Sequence, residues 1–130
     1  MSENTKTSCG CKCDCGSTVN KIYSCSGASN VGQLSNEIAL IISESGKASM
    51  SCLVGIGAEI STIVTTAKSA DSVIVIDGCP QCCGKKILEK AEIPNIKSFV
   101  LTEMGIKKTS DLRGDRNLSN ELANIITDAI

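Results

Sequence analysis

Four consecutive β-branched apolar residues, Val73-Ile-Val-Ile76, constrain the fold more than any other feature of this sequence. A strand with one face in water alternates apolar and polar residues, so an unbroken apolar run predicts a strand covered on both faces. Further strands are predicted at Lys21–Ser24, Ser49–Leu53 and Ser98–Leu101, with helical patterns between them. This alternation indicates a single three-layer α/β domain, in which helices flank a short, mostly parallel sheet of about four strands.

The first and last helices are predicted from apolar residues that recur at helical spacing. The first runs from about Asn30 to Ser45, with Ser29 or Asn30 as its N-cap and Gly46 at its C-terminal stop. The last begins near Leu118. The apolar stripe of the first helix consists of Val31, Leu34, Ile38, Ile41 and Ile42, and that of the last of Leu122, Ile125, Ile126 and Ala129.

Two further helices are predicted around glycine and proline signals. Gly55-Ile-Gly57 predicts a tight turn, followed by a helix. Pro80 suits the first position of another helix, which would end near Ala91. Cys79 would then be the N-cap residue of this helix. The apolar face of the earlier helix carries Ile56, Ile60, Ile63, Val64 and Ala67.

Charge and residue types narrow the class of protein. Thirteen basic residues against 14 acidic ones give a net charge of −1, and the chain has one Tyr, one Phe and no Trp. It therefore lacks the basic field and the stacking residues that hold nucleic acid. No apolar run approaches the roughly 20 residues that span a membrane, and the N-terminus lacks a signal peptide's apolar core. We expect a cytoplasmic protein with no nucleic acid or membrane partner, and the sequence indicates no particular protein partner.

Nine cysteines and no histidine direct attention to thiol chemistry. The cytoplasm keeps thiols reduced, so cysteines there are more often ligands or catalysts than structural disulfides. Cys25 follows the first predicted strand, Cys52 lies at the second, and a cluster of Cys79, Cys82 and Cys83 follows the third. Because the carboxyl ends of parallel strands meet at one edge of a sheet, these thiols are expected to converge. Four thiolates suit tetrahedral zinc.

Each cysteine also has a simpler explanation. A single buried cysteine behaves as a small apolar residue, and this applies best to Cys52. The cluster at residues 79–83 is harder to explain by packing, since a helix that begins there would favour thiolate over thiol. Asp77 is expected to cap its own loop, although its carboxylate also suits a metal ligand or a hydrogen-bond acceptor near the metal. Lys85 and Lys86 are expected in solvent, where they would offset a negative thiolate site.

The N-terminal residues 1–19 form a polar, cysteine-rich segment that we predict to be flexible, ahead of an α/β domain at residues 20–130. The segment contains Cys9, Cys11, Cys13 and Cys15, one at every second position. Such spacing puts all four thiols on one side of an extended chain. Three explanations of these cysteines are open. They could form a second thiolate site, they could deliver metal to the main site, or they could have no fixed partner.

These cysteine motifs resemble the DGC-domain family of zinc-binding proteins, named for the tripeptide Asp-Gly-Cys. The resemblance spans about residues 21 to 110. It implies an α/β domain that holds zinc through four cysteines, which fall here on Cys25, Cys52, Cys79 and Cys83, with Cys82 as a substitute for Cys83 or a free thiol. The matching segments are Cys25-Ser-Gly-Ala-Ser-Asn-Val-Gly32, Cys52-Leu-Val-Gly-Ile-Gly57, Asp77-Gly-Cys-Pro-Gln-Cys-Cys-Gly-Lys-Lys86 and Thr102-Glu-Met-Gly-Ile-Lys-Lys108.

Two functional hypotheses follow from the same cysteines. The first is a zinc-binding domain, with zinc expected ahead of an iron–sulfur cluster, which four thiolates also suit. The second is a thiol redox or sulfur-transfer enzyme, for which low-pKa cysteines at a helix start would serve. The sequence leaves open whether the chain is an enzyme.

Overall fold

The computed structural model describes residues 18–130, and the predicted tail with Cys9, Cys11, Cys13 and Cys15 lies outside them. The described part contains four strands, five α-helices and two short 3-10 helices. The strands are β1 (Asn20–Ser24), β2 (Ser49–Met50), β3 (Ser72–Asp77) and β4 (Ile96–Val100). The α-helices are α1 (Asn30–Glu44), α2 (Leu53–Gly57), α3 (Ser61–Ser69), α4 (Cys83–Lys90) and α5 (Ser119–Ala129), and the 3-10 helices are Leu101–Met104 and Arg116–Leu118.

The four strands form one parallel sheet in the order β2-β1-β3-β4, which confirms the predicted α/β class. Strand β3 is central and pairs with β1 from Asn20↔Ser72 to Ser24↔Ile76. Its first residue is partly exposed and the next five are buried, as its continuous apolar sequence predicts. All four carboxyl ends therefore lie at the same edge of the sheet.

Alternate residues of the strands supply two separate apolar cores. On one face, Ile22, Ile74 and Ile76 pack with α1 and α5. On the other face, Tyr23, Val73 and Val75 pack with residues of α2, α3 and α4. Side chains point to opposite faces at every second strand position, so a single apolar strand fills both cores. The helices thus cover both faces of the sheet, as the sequence predicts.

Helix α1 follows its predicted course, and Ser29 is the residue that caps it. The Ser29 hydroxyl accepts a hydrogen bond from the Gly32 amide at 3.0 Å. Asn30, at the start of the same helix, has another task. Its side-chain amide donates to the carbonyl of Lys107 at 2.8 Å and accepts from the amide of Thr109 at 2.5 Å. Asn30 thereby attaches the loop after residue 105 to the start of α1.

The predicted glycine turn at residues 55–57 is wrong. Residues 53–57 form the short helix α2, and α3 begins only at Ser61. Gly55 is buried where a Cβ atom would overlap the side chain of Ile63, so this glycine serves the close packing of α2 against α3. Ile60 is the N-cap residue of α3 and is half exposed, so it does not belong to an apolar stripe.

The predicted helix start at Pro80 is also wrong. Pro80 and Gln81 lie in a turn, and α4 begins at Cys83 with Cys82 as its N-cap residue. The amide of Cys82 donates to the carbonyl of Cys79 at 3.1 Å, which closes a β-turn with proline at its second position. Proline favours that position because its fixed φ matches the turn. It therefore begins a turn and not a helix.

Two smaller predictions also change. Strand β2 ends at Met50, so Cys52 follows it as the N-cap residue of α2. Helix α5 buries Leu122, Ala123 and Ile126, whereas Ile125 is half exposed. No helix among residues 18–130 combines the length and apolar character needed to cross a bilayer.

Candidate metal centre

The cysteines of the described chain follow the strand ends. Cys25 comes directly after β1, Cys52 comes two residues after β2, and Cys79 comes two residues after β3. Cys82 and Cys83 begin α4. All five are free thiols, of which Cys52 and Cys83 are exposed and the other three partly buried. Three of the four predicted ligands thus follow the carboxyl ends of three neighbouring strands, and Cys83 is the first residue of α4.

Cys25 is held between α1 and the loop after β3. Its sulfur accepts a hydrogen bond from the amide of Gly78 at 3.3 Å and lies 3.3 Å from the Ser35 hydroxyl oxygen. The Ser35 hydroxyl donates to the carbonyl of Gly32 at 2.7 Å, so its oxygen is left to accept from the Cys25 thiol. The sulfur of Cys25 is therefore held against Gly78, the residue before Cys79.

Gly78 permits this close approach of β3 to α1. A Cβ atom at this position would lie 2.7 Å from the carbonyl carbon of Val31 and 2.9 Å from the amide nitrogen of Gly32. Real Cβ atoms do not approach backbone atoms so closely, so any other residue would push the two segments apart. Glycine in the Asp-Gly-Cys tripeptide is therefore required by packing.

Cys79 has a basic neighbour from a distant part of the chain. The ammonium nitrogen of Lys108 lies 3.6 Å from the Cys79 sulfur. Lys108 sits between Lys107 and Thr109, the two residues whose backbones Asn30 holds. The loop held by Asn30 thus brings a positively charged group to the sulfur of Cys79, one of the predicted ligands.

Asp77 caps helix α4 through space. Its carboxylate, 1% exposed, accepts hydrogen bonds from the amides of Gly84 at 2.7 Å and Lys85 at 3.1 Å. These belong to the first turn of α4, whose N-cap residue Cys82 makes no side-chain capping bond. Asp77 therefore caps the start of helix α4, and not its own loop as expected from the sequence. Burial raises the pKa of Asp77 in spite of both hydrogen bonds.

The start of α4 does not favour a thiolate at Cys82, contrary to the expectation from the helix field. Burial raises the pKa of Cys82, and the negative charges of Asp77 and Glu103 raise it further, against the opposing effect of Lys85 and Lys86. The carboxylate of Asp77 already occupies the first amides of the helix, so their positive end is neutralised.

Cys52 lies near a buried phenol. Tyr23 is fully buried, and its hydroxyl has no hydrogen-bond partner among the described residues. Burial raises the pKa of Tyr23, the Ser51 side chain acts against this effect, and the neighbouring Cys52 adds to it.

The donor type suits a thiophilic metal, but the side chains are not gathered around one point. Within residues 18–130, no three Cys, Asp or Glu side chains lie close enough together to hold one ion. The chemistry of the donors fits zinc, and binding would require the thiols to turn toward each other. A separate cleft of about 690 Å³ between α2, α3 and α4 is lined by Ile56, Val64 and Ile87 among others, and by none of the cysteines.

Comparison with protein families gives a match to the DGC domain over residues 21–129. The chain belongs to the DGC-domain family. One relative, "Anaerobic and virulence modulator AnvM" of Pseudomonas aeruginosa, is 39% identical over 87 residues, which cover 67% of this chain. The match spans 66% of AnvM, slightly less than two thirds of its length. No solved structure matches this chain.

Two residues of this DGC domain acquire roles that the sequence did not indicate. Lys108 approaches Cys79, 29 residues away, and Asn30 holds the loop that carries Lys108, across a separation of 77 residues. Lys108 ends the last of the segments that resemble the family, and this position is the one signal that could have drawn attention to it.

Proposed function

We propose that this DGC domain binds a thiophilic metal through Cys25, Cys52, Cys79 and Cys83. Zinc is the preferred metal, and an iron–sulfur cluster is the second choice. The observation that carries the proposal is the contact of the Cys25 sulfur with the Gly78 amide. It holds a thiol from the end of β1 against the residue that precedes Cys79, at the end of β3. Thiolates are typical donors for zinc, and thiols at the ends of neighbouring strands can turn toward one ion.

The surroundings of these thiols also suit a metal site. Ligating cysteines are deprotonated, so they carry negative charge that nearby cations and hydrogen-bond donors stabilise. Lys108 supplies a positive charge beside Cys79, and the amide of Gly78 donates to Cys25. The buried hydroxyl of Tyr23 supplies an unused donor near Cys52. When bound, the ion would tie the ends of three strands to the start of α4.

The name of the relative AnvM favours a regulatory role for such a metal site. AnvM is called a modulator by its name. By analogy with that word alone, we propose that this domain has a regulatory role, in which its occupancy by metal signals a cellular state. A cytoplasmic location is part of the same proposal.

The test is the metal content of the full chain, purified anaerobically without an affinity tag and measured by elemental analysis. Wild type should carry about one zinc per chain at the main site, and Cys79→Ser should lose it. Cys82→Ser is the matched control, since it removes a neighbouring thiol outside the four proposed ligands and should keep the metal.

The tail needs its own control because its four cysteines can also bind metal. A full chain with Cys9, Cys11, Cys13 and Cys15 all replaced by serine should still bind zinc. Loss of zinc in this variant, with retention in Cys79→Ser, would assign the metal to the tail and refute the proposed site. Absence of metal from wild type, even after incubation of the reduced protein with zinc, would refute metal binding altogether.

A further inference from the structure

The turn between β3 and α4 brings together two thiols that the proposed metal site does not use as a pair. Cys79-Pro-Gln-Cys82 is a four-residue β-turn, closed by the 3.1 Å bond from the Cys82 amide to the Cys79 carbonyl. The end residues of such a turn have Cα atoms less than about 7 Å apart. A disulfide requires a Cα separation of about 4.4–6.8 Å, so the turn brings the two cysteines into range.

Cys82 differs from Cys83 in its relation to this turn. Cys82 is the last residue of the turn, with φ of 50°, and is partly buried, whereas Cys83 is the first residue of α4 and is exposed. The backbone hydrogen bond to Cys79 is made by Cys82 and not by Cys83. The structure therefore singles out Cys82 as the partner of Cys79.

We infer that Cys79 and Cys82 form a reversible disulfide by exchange with a low-molecular-weight disulfide. The formation of this disulfide does not depend on the proposed metal binding. Its consequence for metal rests on the proposed function, because a disulfide would remove Cys79 from the four ligands and release the ion.

The exchange has two steps. The Cys79 thiolate attacks one sulfur of the small disulfide, which forms a mixed disulfide on Cys79 and releases one small thiolate. The Cys82 thiolate then attacks the Cys79 sulfur, which closes the protein disulfide and releases the second small thiolate. The two protein thiols lose two electrons and two protons, and the small disulfide gains them to become two thiols.

A contact with a basic side chain distinguishes the two sulfurs. The ammonium group of Lys108 lies 3.6 Å from the Cys79 sulfur. We therefore take Cys79 as the first nucleophile and Cys82 as the resolving thiol.

The experiment uses the full-length, metal-free chain in buffers of reduced and oxidised glutathione. Samples are quenched with acid, alkylated and digested with trypsin, and the peptide of residues 69–85 is analysed by mass spectrometry. This peptide carries Cys79, Cys82 and Cys83. In oxidising buffer we expect an internal disulfide with one alkylated thiol, on Cys83, and full alkylation after return to reducing buffer.

Two matched variants assign the pair. Cys82→Ser should lose the internal disulfide, and Cys83→Ser should keep it. Full alkylation of the wild-type peptide in the most oxidising buffer would overturn the inference, as would an internal disulfide that persists in Cys82→Ser.

A second measurement separates this inference from the metal proposal. Zinc-loaded wild type should release its zinc in oxidising buffer, and zinc-loaded Cys82→Ser should retain it. A chain that forms the disulfide but never binds zinc would refute the metal proposal alone. A chain that binds zinc but forms no Cys79–Cys82 disulfide would refute the inference alone.

Discussion

Replacement of Asp77 by alanine should destabilise the metal-free chain by about 2.5 kcal/mol. The buried carboxylate accepts two backbone hydrogen bonds from the first turn of α4. Hydrogen bonds to a charged group contribute about 1.5–3 kcal/mol each, so the two would amount to about 3–6 kcal/mol. Burial raises the pKa of Asp77, which shows that the desolvated charge offsets part of this sum. The remainder is close to the largest helix-capping effects, which reach about 2 kcal/mol.

Asp77→Asn distinguishes the contribution of the acceptor oxygens to stability from that of the negative charge. Asparagine keeps one oxygen acceptor and presents an NH₂ group to the second amide, so one of the two hydrogen bonds is lost. It also removes the charge that burial disfavours. We therefore expect a loss of about 1 kcal/mol, clearly smaller than for alanine.

The assay is thermal unfolding followed by circular dichroism, in a buffer with chelator and reductant. For a domain of this size, 1 kcal/mol corresponds to about 4 °C in Tm, so alanine should lower Tm by about 10 °C and asparagine by about 4 °C. Glu89→Gln, on the exposed side of the same helix, removes one carboxylate charge and should change the stability by less than about 0.5 kcal/mol. An alanine variant as stable as Glu89→Gln would refute the capping role.

Three further predictions follow from the surroundings of the thiols. Gly78→Ala should destabilise the chain by about 1–3 kcal/mol in chemical denaturation, because its Cβ would overlap the backbone of Val31, while Gly27→Ala, with no atom near its Cβ, should be nearly neutral. Asn30→Ala should release the loop that carries Lys108, seen as faster tryptic cleavage after Lys108 than in wild type; unchanged cleavage would contradict that attachment. A chelator should lower the Tm of zinc-loaded wild type and leave Cys79→Ser unchanged, and an equal effect on both would show that the stabilising metal lies elsewhere.

Much of the fold could be predicted because strands and long helices follow local patterns. The apolar run in β3 indicated a strand buried on both faces, and the stripe and cap of α1 gave its bounds to within a residue. The errors lie where a residue type has two local uses. Pro80 suits both a helix start and the second position of a turn, and Gly55 suits both a tight turn and close helix packing. For Gly55, the contact with Ile63 of the next helix decides between the two uses.

The sequence by itself determined the parallel α/β architecture, and with it the placement of Cys25 and Cys79 after their strands. Only the tertiary structure decided what surrounds each sulfur. Lys108 reaches Cys79 because Asn30 holds a loop 77 residues away, and Asp77 caps α4 because the chain turns back over the end of β3. Periodicity records which face of an element is apolar, but contacts between distant segments depend on how the packed elements are placed in space.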